Sequence, residues 1–119
     1  MGGYTGGAMA NATTDPTIDH DAAHSRYELR IEGTVVGVAN YIRSGDTVSI
    51  THTGVETALR GRGLAGELID FALQDARRSG LTVLPHCSFV SDYIDKHREY
   101  LELVPEDRRR EFGLPPSAS

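Results

Sequence analysis

The sequence has a single cysteine and no long apolar run. One cysteine cannot form an internal disulfide, so nothing requires an oxidising compartment, and the expected location is the cytoplasm. No stretch approaches the roughly 18–20 consecutive apolar residues that a membrane span requires. The N-terminus also lacks the basic start and apolar block of a secretory signal. These absences favour a soluble protein with no membrane partner.

Basic residues are outnumbered by acidic ones, with 12 Lys and Arg against 17 Asp and Glu and a net charge of −5. Nucleic-acid phosphates attract basic proteins, so this balance argues against general nucleic-acid binding. A net-negative surface suits a cationic acceptor such as an amine. His20, His24 and His52 lack the spacing of metal ligands, so we expect no metal site and interpret the first two as solvated.

The chain of 119 residues allows one domain. Residues 1–25 are rich in Gly, Ala, Thr and Asp without a hydrophobic period, which predicts a disordered leader. Residues 26–104 carry the periodic patterns and are expected to form the folded domain. Residues 105–119 combine a mixed charge run with a Gly, Pro and Ser-rich end, and they are expected to form a flexible tail.

Alternating apolar residues predict three strands in the first half of the domain. Residues 26–32 alternate strictly, and residues 35–43 and 47–55 follow after short turns, which favours an antiparallel meander. On the third strand, alternation places His52 on the face of Val48 and Ile50. Gly54 indicates a bulge or the close approach of a backbone or ligand.

A long amphipathic helix is predicted from Leu64, with arginines in its last turn and Gly80 as a left-handed cap. Residues 81–84 then return to the sheet as a strand, forming a parallel pair at Val55 and Leu81. A second helix is expected after Ser88, its predicted N-cap. The predicted fold class is α/β (α+β), a mostly antiparallel sheet with a splayed parallel pair and two helices.

The turn from Arg60 to Ala65 joins a strand to the long helix, where backbone N–H groups and the helix dipole favour an anion. It is neither a P-loop nor a dinucleotide fingerprint, because both required spacings are missing. It resembles the acyl-CoA loop of the GCN5-related N-acetyltransferases, Gln/Arg-x-x-Gly-x-Gly/Ala, with Arg60, Gly63 and Ala65 at its fixed positions. Residues 52–65 and 85–100 are also similar to a subgroup of small, stand-alone acetyltransferase-like domains.

The resemblance implies that acetyl-CoA is the donor and that loop N–H groups bind its pyrophosphate. Strand backbone near the loop would align the cofactor, and a backbone N–H would polarise the thioester carbonyl. The implied cofactor-binding residues are Val55, Thr57, Arg60, Gly61, Arg62, Gly63, Leu64 and Ala65. The predicted function is acetyl transfer to an amine, by a monomer or weak dimer. A CoA-binding module with little catalysis and a nucleic-acid or partner-binding domain are the alternatives.

Four residues are candidates for the chemistry. Cys87 lies between a strand end and a helix start, where the helix dipole favours a thiolate. It would carry the acetyl group as a covalent intermediate, or it is a small apolar residue that fills space at this junction. His52 would act as general base or as a satisfied core histidine. Glu56 offers the same base role or is a solvated carboxylate. Tyr93 resembles the tyrosine that protonates the leaving CoA thiolate, or it packs in the core. Gly54 replaces a larger, often acidic residue of the subgroup, so a base at that position is missing.

Overall fold

A computed structural model describes residues 15–116 and confirms the predicted fold class. Five strands lie in chain order: β1 (Thr17–Asp21), β2 (Arg26–Ile31), β3 (Thr34–Ser44), β4 (Thr47–Val55) and β5 (Thr82–Pro85). Neighbouring strands from β1 to β4 are antiparallel, and β4 and β5 are parallel. The helices are α1 (Leu64–Arg78) and α2 (Ser88–Lys96), with 3-10 helices at Ala22–His24, Thr57–Leu59, Arg98–Leu103 and Glu106–Phe112. None of the helices described is long and apolar enough to cross a membrane.

Both α-helices pack on one side of the sheet and enclose the core there. The predicted apolar stripe of α1 is buried at Leu64, Leu68, Ile69, Ala72, Leu73 and Ala76. The second helix contributes Val90 and Ile94 to the same cluster. The opposite side of the sheet carries Glu28, Asn40 and His52 together with the exposed Ile42. Burial of one helical stripe against one sheet face is what holds the two layers together.

The parallel pair is short because β5 ends early. Pairing begins at Thr47 with Thr82 and ends at Ile50 with Pro85, which has no N–H to donate. The Cys87 N–H then donates to the Ile50 carbonyl at 3.0 Å, and the chain turns into α2. The predicted parallel pairing of this strand with β4 is confirmed, but the paired residues of β4 are Thr47–Ile50 and do not reach Val55. The segment Thr51–Val55 of β4 runs beyond β5, and this overhang is the splay between the two strands.

A β-bulge at Thr51 reverses the alternation of β4. Ile50 pairs with Tyr41 and His52 pairs with Asn40, so Thr51 is an extra residue on its strand. Ile50 is 2% exposed, whereas His52 is exposed on the opposite, open face of the sheet. The prediction that His52 shares the face of Ile50, and with it the core-histidine interpretation, is wrong. The predicted bulge at Gly54 is likewise misplaced, because the register changes three residues earlier.

An additional edge strand, β1, lies within the predicted disordered leader. It pairs with β2 along its whole length, and Ile18 packs against the core. The His20 ring stacks on Tyr27 at 4.3 Å between centroids, and its Nε2 lies 2.6 Å from the Tyr41 hydroxyl. The prediction of disorder is wrong here, because polar ring contacts fix a strand that has almost no apolar pattern, whereas His20 is exposed as predicted. The rest of the predicted leader, residues 1–14, lies outside the described residues.

The C-terminal segment is also docked rather than flexible. Its 3-10 helix Glu106–Phe112 brings the Phe112 ring edge-on to His86, with centroids 5.1 Å apart. Leu114 is 5% exposed and belongs to the core cluster. The flexible-tail prediction is therefore wrong for residues 105–116, while residues 117–119 lie outside the described residues.

Leu114 is buried in the docked C-terminal segment, so truncating its side chain should destabilise the folded protein strongly. We expect Leu114→Ala to lower the free energy of unfolding by about 2–3 kcal/mol, measured by urea denaturation. Ile42→Ala serves as the control because Ile42 is 64% exposed; it should change stability by less than about 0.5 kcal/mol. Equal effects of the two substitutions would show that the segment does not pack as described.

A buried carboxylate links two arginines on the open face. Glu28, whose side chain is 3% exposed, accepts hydrogen bonds from Arg30 and Arg26, each at 2.7 Å. These bonds hold the pKa of Glu28 below its ordinary value of 4.5. A lowered folded-state pKa stabilises the protein above the unfolded pKa, and the stabilisation is lost as pH falls through the folded pKa.

This linkage predicts a pH-dependent effect of Glu28→Gln. The variant should be less stable than the wild type near neutral pH, and the difference should shrink as pH falls below 4.5. Urea unfolding over a pH series measures it. Glu102→Gln, which removes an exposed carboxylate, is the control. A difference for Glu28→Gln that stays constant with pH would contradict the assignment.

Candidate functional site

A cleft of about 380 Å³ opens where α1 begins, between the overhanging end of β4 and the first turn of α2. We call it the loop cleft. Its walls come from the end of β4, the turn before α1, the start of α1 and α2, namely Thr53, Gly54, Val55, Leu59, Arg60, Gly61, Gly63, Leu64, Ala65, Gly66 and Phe89. The cleft exists because β5 stops at Pro85 and leaves this end of β4 uncovered.

The head of α1 presents uncapped backbone donors to the loop cleft. Gly63 occupies the N-cap position with φ of 75°, a left-handed conformation that favours glycine, and no side chain caps the helix. The N–H groups of Leu64, Ala65 and Gly66 have no intrahelical acceptor because they belong to the first turn. They point outward at the positive end of the helix dipole, so this end of the cleft suits an anion.

Two arginines flank these donors. Arg60 and Arg62 are both exposed, and neither forms an ion pair with any residue between 15 and 116. Arg60 lines the loop cleft, whereas Arg62 lies on the turn outside its walls. Guanidinium groups without a carboxylate partner can pair with phosphate oxygens.

The inner wall of the loop cleft is mostly apolar. Val55 and Leu59 are half-buried, Leu64 is buried, and Phe89 is 39% exposed at the opening. One polar side chain interrupts this wall: the Thr53 hydroxyl is buried and has no hydrogen-bond partner in the described chain. The cleft therefore combines apolar walls with an opening that is lined by backbone N–H donors and Arg60.

Most of the predicted binding residues converge here. Six of them line the loop cleft: Val55, Arg60, Gly61, Gly63, Leu64 and Ala65. Thr57 instead lines a separate groove of about 370 Å³ on the β3 side of β4. Thr53 and Phe89 were not predicted as binding residues, since their place in the wall depends on where β5 ends. The only sequence signal was Pro85, which marks that end.

Cys87 lies at the point where β5 has ended and α2 begins. Its backbone occupies the N-cap position of α2, so Ser88 is the first helical residue rather than the predicted cap. The Cys87 carbonyl accepts from Val90 and Ser91, and its half-buried side chain packs against the core on the helix side of the sheet. The Cys87 backbone is thus hydrogen-bonded to Ile50, the residue that precedes the overhang of β4, and Cys87 is not one of the residues that line the loop cleft.

The two candidate bases lie away from Cys87. His52 is on the open face, and its Nε2 would be 3.1 Å from a Cβ at Gly54, so the imidazole occupies the space that a larger residue would take there. Glu56 is exposed and lines the groove on the β3 side. Within residues 15–116, no hydrogen bond joins either of them to Cys87.

Tyr93 belongs to a separate cluster between the helices. Its hydroxyl donates to Asp70 at 3.0 Å, and the Tyr100 hydroxyl donates to the same oxygen at 2.6 Å. Burial and the hydrogen bond to Asp70 raise the pKa of Tyr93 above its ordinary value of 10. Its ring packs on Gly66 and stacks on His97, with centroids 3.9 Å apart. This arrangement makes Tyr93 a contact between α1 and α2, outside the wall of the loop cleft.

The structure therefore brings six of the eight predicted binding residues together but separates the four catalytic candidates. Cys87, His52, Glu56 and Tyr93 occupy four different surroundings. In the described part of the chain, no group of three or more His, Cys, Asp or Glu side chains is placed to hold a metal ion.

One protein family matches most of this chain. Residues 26–103 match the family described as GCN5-related N-acetyl-transferase. The chain is 29% identical over 94 residues to Protein NATD1 of Xenopus tropicalis, covering 71% of this chain and 82% of the relative. It is 26% identical over 105 residues to Protein NATD1 of Danio rerio, covering 81% of this chain and 91% of that relative.

A solved structure shows the same fold. The NMR solution structure of a GCN5-like protein from Staphylococcus aureus superposes with a TM-score of 0.60 and 22% identity, over 75% of this chain and 87% of that chain. The family match spans most of the sequence and includes every element from β2 to the 3-10 helix after α2. The chain therefore belongs to the GCN5-related N-acetyltransferase family and is an N-acyltransferase.

Proposed function

We propose that this protein transfers an acetyl group from acetyl-CoA to an amine. The observation that carries the proposal is the head of α1, where Gly63 leaves the helix uncapped at the mouth of an apolar cleft. A diphosphate needs several converging N–H donors, and a pantetheine arm needs a narrow apolar channel. Both features meet in the loop cleft.

The residues present fit the donor in three respects. The N–H groups of Leu64, Ala65 and Gly66 would hold the pyrophosphate, with Arg60 and Arg62 free to pair with phosphate oxygens. Val55 and Leu59 would contact the pantetheine arm. Among residues 15–116, no strand pairs with the overhang of β4 on its β5 side, so its backbone groups are open to the amides of that arm, as in strand addition.

Substitution of Gly63 tests the binding site. We expect Gly63→Glu to weaken acetyl-CoA binding more than tenfold, because it places a carboxylate among the N–H donors. Gly45→Glu is a matched control: both glycines have positive φ, at 75° and 60°, and both have open space at Cβ. Each variant should lose about 1 kcal/mol of stability from backbone strain.

Isothermal titration with acetyl-CoA, CoA and ATP measures these affinities. The wild type and Gly45→Glu should bind both CoA forms. Binding by Gly63→Glu at wild-type affinity would show that the loop is misassigned. A wild-type protein that binds neither CoA form would remove the proposed donor.

Acetyl-CoA supplies an acetyl group activated as a thioester, and two routes lead from it to the amine. In the covalent route, the Cys87 thiolate attacks the carbonyl carbon and the bond to the CoA sulfur breaks. The amine then attacks the Cys87 acetyl group, the bond to Sγ breaks, and the amine proton passes to a base. In the direct route, the amine attacks the thioester carbonyl carbon itself, the bond to the CoA sulfur breaks and CoA leaves as the thiolate, while His52 or Glu56 takes the amine proton, directly or through water.

We favour the covalent route because the Cys87 N–H is hydrogen-bonded to Ile50, the residue before the overhang of β4 along which we place the donor. After incubation with acetyl-CoA, intact-mass measurement should show one added acetyl group on the wild type and none on Cys87→Ala. An amine found by screening for CoA release should remove that group. Turnover of Cys87→Ala should fall at least about 100-fold while its CoA affinity stays within about threefold. Unchanged turnover in Cys87→Ala would exclude Cys87 from the mechanism and leave the direct route.

A further inference from the structure

The Thr53 hydroxyl is an unusual feature of the loop cleft. Among residues 15–116 it is the buried side-chain polar atom that lacks a hydrogen-bond partner. A buried hydroxyl without a partner destabilises a protein, because the group has lost its hydrogen bonds to water without replacing them. Valine would fill the same volume without that cost. The free protein therefore gives no reason for a hydroxyl at this position.

The position of Thr53 suggests what the hydroxyl serves. Thr53 pairs with Ala39, which is 1% exposed, so its side chain is on the helix side of the sheet. It lies on the overhang of β4, past the last pairing with β5, and lines the loop cleft beside apolar side chains. A molecule threaded along this wall would bring hydrogen-bonding groups to the hydroxyl.

We propose that Thr53 is a positioning residue whose hydroxyl hydrogen-bonds an amide of the pantetheine arm of the donor. This inference rests on the proposed function. A threonine hydroxyl both donates and accepts, so it can serve either the carbonyl or the N–H of an amide. Such a bond would set how far the arm advances along β4 and hence where the acyl group stops relative to Cys87. Thr53 thus recognises the arm common to all acyl-CoA molecules rather than the nucleotide.

The test compares Thr53→Val and Thr53→Ser with the wild type by isothermal titration. The ligands are CoA, acetyl-CoA and adenosine 3′,5′-bisphosphate, which lacks the arm. We expect Thr53→Val to weaken both CoA forms about tenfold, the effect of one lost hydrogen bond in a shielded site, and to bind the bisphosphate unchanged. Thr53→Ser keeps the hydroxyl and should restore most of the affinity. Thr34→Val, a substitution of an exposed threonine at the start of β3 and outside the loop cleft, is the control.

Thermal unfolding of the ligand-free variants separates this role from a structural one. Thr53→Val should be at least as stable as the wild type, because the orphaned hydroxyl is removed. CoA affinity equal to the wild type in Thr53→Val would overturn the inference while leaving the proposed function intact. A tenfold loss for the bisphosphate as well would also overturn it, since the arm would not be the group recognised. Failure of the wild type to bind CoA would instead refute the proposed function and this inference together.

Discussion

The early end of β5 is the constraint on which the rest of the site depends. Pro85 cannot donate to a neighbouring strand, and the Cys87 N–H makes the last contact with β4, at the Ile50 carbonyl. Had β5 run as far as β4, its backbone would occupy the loop cleft and pair with the overhang Thr51–Val55. The turn into α2 would then lie further along β4, and Cys87 with it. The early end of β5 therefore creates the loop cleft, exposes the edge of β4 and determines where Cys87 lies along β4.

Helix α1 forms the opposite wall and is fixed from both flanks by carboxylates. Asp70 accepts from Tyr93 and Tyr100, which ties α1 to α2 and the 3-10 helix that follows. Asp75 accepts from Tyr27 at 2.6 Å and lies 3.4 Å from His20, which ties α1 to the first two strands. These contacts hold the helix in place while its first turn stays uncapped. An anion site made of backbone N–H groups needs such a rigid helix, because the donors cannot move independently to follow a ligand.

The regular elements could be predicted because each has a strong hydrophobic period. The predicted strands 26–32, 35–43 and 47–55 and the helix from Leu64 agree with the structure to within one residue at each end. The sequence 17–21 has only Ile18 as an apolar signal, and its pairing depends on rings of β2 and β3 that are distant in sequence. The bulge at Thr51 has no sequence signal either, so the face of His52 was assigned wrongly. Binding residues in the Arg60–Ala65 motif could be predicted from the sequence. Thr53 and Phe89 could not, because they line the cleft only where β5 has ended.

The separation of Cys87 from the candidate bases has a consequence for the chemistry. Cys87 packs on the helix side of the sheet, whereas His52 lies on the open side of the same strand. The two proposed routes therefore place different demands on the acceptor. In the proposed covalent route the acceptor would not need to meet CoA at all, because the acetyl group would remain on Cys87 after CoA had left. In the proposed direct route with His52 as base, the acceptor would approach over the open face, where the lack of a side chain at Gly54 leaves room for the His52 imidazole. With Glu56 as base, it would approach through the groove on the β3 side instead.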